Sequence, residues 1–136
     1  KIWLVGCALM IISNTFINII VGSMATNEAA NEALLIDKFS YSIISMILLA
    51  PICEEILFRY LPRKFINNNI IYILFSGVLF GFAHVFTTNG SQLLYIIPYA
   101  ILGIAFARIY QKYNNIFCSI TTHVLHNLLC ILLIVL

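Results

Sequence analysis

Apolar positions along this chain fall into five long blocks, broken by short polar stretches. The first block runs from Trp3 to Val21 and carries Ser13, Asn14, Thr15 and Asn18, which predicts one polar face turned toward other helices. Gly22 to Lys38 is the only long polar stretch; it holds Glu28, Glu32 and Asp37, and its Ala-rich pattern predicts a short surface helix. The second block extends from about Phe39 to Phe58 and ends in Arg59, Pro62, Arg63 and Lys64. Asn67-Asn68-Asn69 marks a turn before the third block, Ile70 to about Val85, and Thr87 to Ser91 marks the next. Gln92 to about Tyr110 and Ile116 to Leu136 complete the set. About 20 apolar residues suffice to cross a bilayer. The expected fold class is therefore all-α, a polytopic transmembrane helix bundle of about five spans. Residues 1–38 form an N-terminal span and acidic outer loop, and residues 39–136 the core. Pro98 predicts a kink in the fourth helix, and Gly103, Ala105 and Ala107 allow close helix contacts.

Composition sharpens this picture. The mean hydropathy of the 136-residue chain is +1.04, with 62% hydrophobic and 9% charged residues, whereas soluble domains carry about 25% charge. That excludes a free-standing soluble domain and a disordered segment. Seven Lys and Arg against five Asp and Glu make no basic face, so nucleic acid is excluded as a partner. With Lys1 on the cytoplasmic side, alternating spans put Arg59, Arg63, Lys64, Arg108 and Lys112 inside as well, and only Lys38 outside. Cys7, Cys53, Cys118 and Cys130 lie inside apolar blocks with no C-x-x-C pair, and read as apolar fillers rather than a disulfide framework. The chain begins at Lys1 rather than Met. Ser23-Met24-Ala25 has the look of a signal-peptidase site, but four further spans favour a retained first helix.

Two of the five acidic residues, Glu54 and Glu55, are adjacent within the second block. A carboxylate at membrane depth costs at least a few kcal/mol and faces the bundle interior with a partner. Two neighbours in low dielectric resist being ionised together, which poises one as a general base. Arg59 stands at i,i+4 from Glu55, the spacing of a same-face ion pair. That leaves Glu54 about 100° round the helix and free for chemistry. The plain structural alternative is an interfacial Glu-Arg cluster at a helix end.

All three histidines also lie in apolar blocks. His84 follows Phe80 by four residues, His123 precedes Asn127 by four, and His126 lies at i+3 from His123. Glutamate with histidine can activate water, and His with Asn can donate to an oxyanion, which together make an amide hydrolase without a Ser or Cys nucleophile. Glu54, His84 and His123 are also a possible zinc set, although HExxH is absent. Cys53 has nothing nearby to activate it as a thiol nucleophile.

These residues resemble the CPBP family of intramembrane proteases, which includes the type II CAAX prenyl endopeptidases and bacteriocin-processing or Abi proteins. Glu54-Glu55-Ile56-Leu57-Phe58-Arg59 resembles its EExxxR motif, Phe80 to His84 its FxxxH, and His123 to Asn127 its HxxxN. The resemblance covers roughly Phe39 to Leu136. It implies that Glu54 activates water with help from His84, and that His123 and Asn127 stabilise the oxyanion. Glu55 and Arg59 then support the first motif, and His126 falls outside the pattern. No cofactor is favoured, with zinc the alternative. The implied partner is a membrane-embedded or lipid-anchored peptide in a bacterial cytoplasmic membrane. A prenylated substrate is not expected if the Ile- and Asn-rich composition marks an AT-rich bacterial genome. The rival readings are a non-catalytic scaffold or immunity protein of the same fold and a proton-coupled transporter with a Glu/His relay. In depth, upright helices separate Glu54 from His84 by about 10 Å, a gap that tilt or a shifted span boundary must close.

Overall fold

A backbone in hydrocarbon must satisfy its own N–H and C=O groups, and a helix does so within one segment. The apolar blocks accordingly fold as helices in a computed structural model that describes residues 1–135. They are α1 (Ile2–Val21), α2 (Thr26–Asp37), α3 (Phe39–Phe65), α4 (Asn69–Val85), α5 (Ile96–Tyr113) and α6 (Ile116–Val135). A 3₁₀ turn, Gly90–Tyr95, leads into α5. Among the described residues four helices are long and apolar enough to cross a membrane, namely α1, α3, α5 with its 3₁₀ turn, and α6. The fifth expected span is α4, a shorter apolar helix of 17 residues. The expected end of the last span, Leu136, lies outside the described residues.

The apolar side chains point outward, as a lipid solvent requires: Ile19 on α1 is 76% exposed and Phe117 on α6 is 72% exposed. The centre belongs to α5. Half of its span is buried, against 17–22% for the other three. Cys7 of α1 packs with Leu102, Phe106 and Ile109 of α5, and Ile17 of α1 packs with Val85 and Tyr95. On the far side, Tyr72 of α4 meets Ala107 and Tyr110.

The tightest contact joins α4 to α5, through a glycine pair the composition alone did not single out. A Cβ at Gly81 would lie 2.7 Å from the Ile96 carbonyl oxygen, and one at Gly77 would lie 2.9 Å from the Ile104 nitrogen. The two backbones therefore touch along Gly77-x-x-x-Gly81, the close approach that small residues at four-residue spacing permit. That contact fixes the rotation of α4 and hence the direction of Phe80 and His84.

One expectation needs correction. The second span does not end near Phe58, because α3 continues for 27 residues through Arg59 and Pro62 to Phe65. Glu54 is thereby 11 residues from the helix end, about 16 Å, and His84 is 15 residues from the start of α4, about 22 Å. The difference in depth narrows to about 6 Å. Pro98 is the third residue of α5, just past the point where the 3₁₀ turn Gly90–Tyr95 gives way to α-helix.

How α3 tolerates two prolines explains much of the site. Ala50 N–H bonds the Ser45 carbonyl and Leu61 N–H bonds the Ile56 carbonyl, five residues back in each case, so α3 contains two π-turns. Each stands just ahead of a proline, Pro51 or Pro62. A proline ring clashes with the carbonyl four residues back and donates nothing. Widening the turn relieves the clash but leaves carbonyls without a helical donor. Other helices supply the donors: Asn127 Nδ2 donates to the Met46 carbonyl at 2.8 Å, and Ser76 Oγ to the Phe58 carbonyl at 2.6 Å.

Gly81→Ala should lower the stability of the detergent-solubilised protein by about 1–3 kcal/mol, since backbone rather than a movable side chain meets the new methyl. Val78→Ala on the lipid-facing side of the same helix, where Val78 is 52% exposed, should change it by less than about 0.5 kcal/mol. Thermal unfolding of both variants checks this.

Candidate active site

Three helices deliver the polar residues to one place. From α3 come Glu54, Glu55 and Arg59; from α4, Phe80 and His84; from α6, Ser119, His123 and Asn127. Glu55 and Arg59 are both 0% exposed, with Arg59 Nε 3.4 Å from Glu55 Oε2. The carboxylate accepts two further bonds, from Ser119 Oγ and from His123 Nδ1 at 2.9 Å. A carboxylate only accepts, so Nδ1 of His123 carries the hydrogen and Nε2 is left facing the other way. There it lies 3.7 Å from Glu54 Oε2. Glu54, 28% exposed, is the accessible member of the pair, as the 100° offset between neighbouring helix positions requires.

Aromatic rings set the remaining orientations. The Arg59 guanidinium lies over Phe80, 4.5 Å from the ring centroid, with Phe106 and Phe58 flanking it. Among the described residues its nitrogens have no side-chain or backbone hydrogen bond, so the Glu55 charge and the ring faces stabilise the cation. His123 stacks on Phe106 at 4.6 Å between centroids. His84 stacks on Tyr99 at 4.6 Å and tilts over Phe80 at 4.4 Å. Its Nδ1 lies 2.9 Å from the Phe80 carbonyl and, as that oxygen only accepts, carries the hydrogen. Nε2 of His84 is thus the nitrogen left for chemistry.

Glu54, His84, His123 and Asn127 line one cavity of about 270 Å³. Among the described residues no three His, Cys, Asp or Glu side chains are gathered as ligands for one ion, and Glu54, His84 and His123 are no exception. Asn127 spends one amide hydrogen on the Met46 carbonyl and retains a second. His126, outside the three motifs, also borders the cavity; its two ring nitrogens meet Cys7 Sγ at 3.4 Å and Cys130 Sγ at 3.6 Å. Arg59, expected at the end of its span, is instead wholly inside the bundle.

Sequence reasoning missed Ser119, which is buried and fixes Glu55; its signal was its place one helical turn before His123. It also missed Phe106 and Tyr99, since an aromatic residue in an apolar block looks like any other packing residue. The largest omission is α2. This helix lies at the surface as expected, with Leu35 its one buried residue, but Asn27, Glu28, Asn31 and Leu35 also form part of the cavity wall.

A family model described as type II CAAX prenyl endopeptidase Rce1-like matches residues 37–129. The chain belongs to this Rce1-like family. The match takes in all three motifs, and the family is one of proteases. An uncharacterized protein of Mycoplasma capricolum subsp. capricolum is 28% identical over 139 aligned residues, which take in 91% of this chain and 40% of that protein. UPF0177 protein YxdF of Lactococcus lactis subsp. lactis is 36% identical over 56% of this chain and 40% of its own length. UPF0177 protein YajF of the same organism is 35% identical over 54% of the chain and 34% of its own. The chain thus spans about 40% or less of these relatives. No solved structure matches it.

The Glu55–Arg59 pair generates a stability prediction for this Rce1-like chain. Removing one partner strands a buried charge and costs about 3–5 kcal/mol. Arg59→Met alone should therefore unfold the protein at much lower temperature or denaturant. Arg59→Met combined with Glu55→Gln should recover a substantial part of that loss, as measured by a double-mutant cycle of unfolding midpoints.

Proposed function

We propose that this chain is an intramembrane endopeptidase that hydrolyses a peptide bond by glutamate-activated water. The observation that carries the reading is the convergence of Glu54, His84, His123 and Asn127 on one cavity inside a helical membrane bundle. Glu54 is the accessible carboxylate there, and His84 presents Nε2 to the same space. A water held between them loses a proton to Glu54 as its oxygen attacks the scissile carbonyl carbon. The carbonyl oxygen gains the charge; its donors are the second amide hydrogen of Asn127 and Nε2 of His123, which carries a hydrogen in the imidazolium form because Nδ1–H is already given to Glu55. Collapse of the tetrahedral intermediate breaks the C–N bond, and the proton on Glu54 passes to the leaving amine. Glu55, Ser119 and Arg59 keep His123 pointed at that oxygen and touch no reacting atom.

The substrate in this reading is a membrane-embedded or lipid-anchored peptide. The bundle's outer surface is apolar on every spanning helix, so a substrate partitioned into lipid already shares its solvent. The host membrane is a bacterial cytoplasmic membrane, consistent with relatives in Mycoplasma and Lactococcus. The reaction as written uses only this chain's own side chains and water.

The test is cleavage of quenched transmembrane and lipid-anchored peptides by the purified protein and by Glu54→Gln. General-base removal should cost about 10²–10⁴-fold in kcat, and a chelator should leave the wild-type rate unchanged. Rate loss with chelator and recovery with zinc would overturn the water-only scheme. In the same assay Asn127→Ala should lose about 10²-fold, by removal of one oxyanion donor. It should also lower the unfolding midpoint, because the Met46 carbonyl loses its partner.

A further inference from the structure

Helix α2 carries an inverted pattern. Its inward positions 27, 28, 31, 32 and 35 share one face, and three of the residues on that face, Asn27, Glu28 and Asn31, are polar cavity-wall residues. Its outward face includes Leu34 at 44% exposure and Ile36 at 81%. The helix is also pinned. Gln92 accepts from Thr26 N at 3.1 Å and donates to Ser23 Oγ at 3.0 Å, while Ala25 is 1% exposed. Ser42 Oγ donates to the Leu34 carbonyl at 2.8 Å at the other end. Such anchoring holds the polar face against the cavity.

Glu28 is the charged residue on that wall, and among the described residues no Lys, Arg or His pairs with it. Burial pushes the Glu28 carboxyl above its ordinary value, while the nearby Asn14 amide of α1 pulls the other way. Two further groups beside it lack partners. Asn14 Oδ1 and Tyr99 Oη are buried with no hydrogen bond among the described residues, and Tyr99 also borders the cavity. Glu28 therefore carries a charge with no cationic partner, and the Asn14 and Tyr99 oxygens in the same corner keep acceptor capacity unused. Buried acceptors without donors are unfavourable until something supplies them. An ammonium or guanidinium group supplies several N–H donors and the charge Glu28 lacks.

We propose that Glu28, with Asn14 and Tyr99, forms a subsite for a cationic nitrogen group of the substrate and selects peptides that carry one near the scissile bond. This rests on the proteolytic reading of the cavity for the identity of the ligand as a peptide. It goes beyond that reading in assigning a charge preference to a helix outside the catalytic motifs. A Lys or Arg side chain and a free α-amino group present the same chemistry, and the test separates them.

Binding is measured on the Glu54→Gln form, so the result does not depend on turnover. Fluorescent membrane-anchored peptides carry either lysine or its neutral isostere norleucine near the intended cleavage point, each with a free or an acetylated N-terminus. With Glu28 intact, the cationic peptide should bind at least about tenfold tighter than its fully neutral counterpart. Loss of that advantage on acetylation assigns the subsite to the α-amine, and loss on lysine replacement assigns it to the side chain. Glu28→Gln should bring the ratio to about one, and Glu28→Lys should invert it in favour of a glutamate-bearing peptide, which a misfolded protein could not do. Equal binding of all four peptides to the Glu28-intact protein would overturn the proposal, as would a cationic preference that survives Glu28→Gln. If the preference holds while wild type cleaves no peptide, the subsite stands and the protease reading falls.

Discussion

A carboxylate and a guanidinium, both fully buried between membrane helices, are the constraint around which this molecule is arranged. Neither charge could sit alone at that depth. Glu55 is therefore surrounded by Arg59, Ser119 and His123, and Arg59 by Glu55 and the faces of Phe80, Phe106 and Phe58. These groups come from α3, α4, α5 and α6, so a single ion pair ties four helices into one register. The same arrangement aims His123 Nε2 away from Glu55 and toward Glu54. Stability and chemistry share the pair, and a change in either partner propagates to the histidine.

The prolines of α3 supply the second organising constraint. Pro51 and Pro62 each follow a widened turn that leaves carbonyls in need of a donor, and Asn127 and Ser76 reach across to them. Asn127 thereby has two duties. One amide hydrogen closes a backbone defect, which fixes the side chain beside the cavity, and the other is free to meet a developing charge. π-turns recur at functional sites for this kind of reason: an irregular helix exposes groups that a regular one conceals.

Much of this was legible in the residue order. Five apolar blocks separated by turn residues imply the bundle, and the i,i+4 spacing of Glu55 and Arg59 implies their pairing. The extent of α3 was not legible, because Arg59 and Pro62 look like flanking residues until their partners on other helices are known. The packing of α4 on α5 depended on Gly77 and Gly81 meeting a particular stretch of backbone, which no single helix reveals. The cavity-lining face of helix α2 was hidden for a related reason. Polar residues such as Glu28 and Asn31 on a short Ala-rich segment suggest a surface helix, and only the tertiary fold shows that their face borders the cavity. Ser119 and Phe106 belong to the same class, being ordinary residues whose role comes from what lies opposite.

The central claim is that water, activated by Glu54, attacks the peptide bond directly with no covalent enzyme intermediate. It is tested most directly by single-turnover cleavage in ¹⁸O-labelled water with hydroxylamine present, and mass spectrometry of the products. The account predicts one labelled oxygen in the new carboxyl group, no hydroxamate, and no mass adduct on the protein. A hydroxamate product or an acylated protein would contradict it, and would move the chemistry to a side-chain nucleophile.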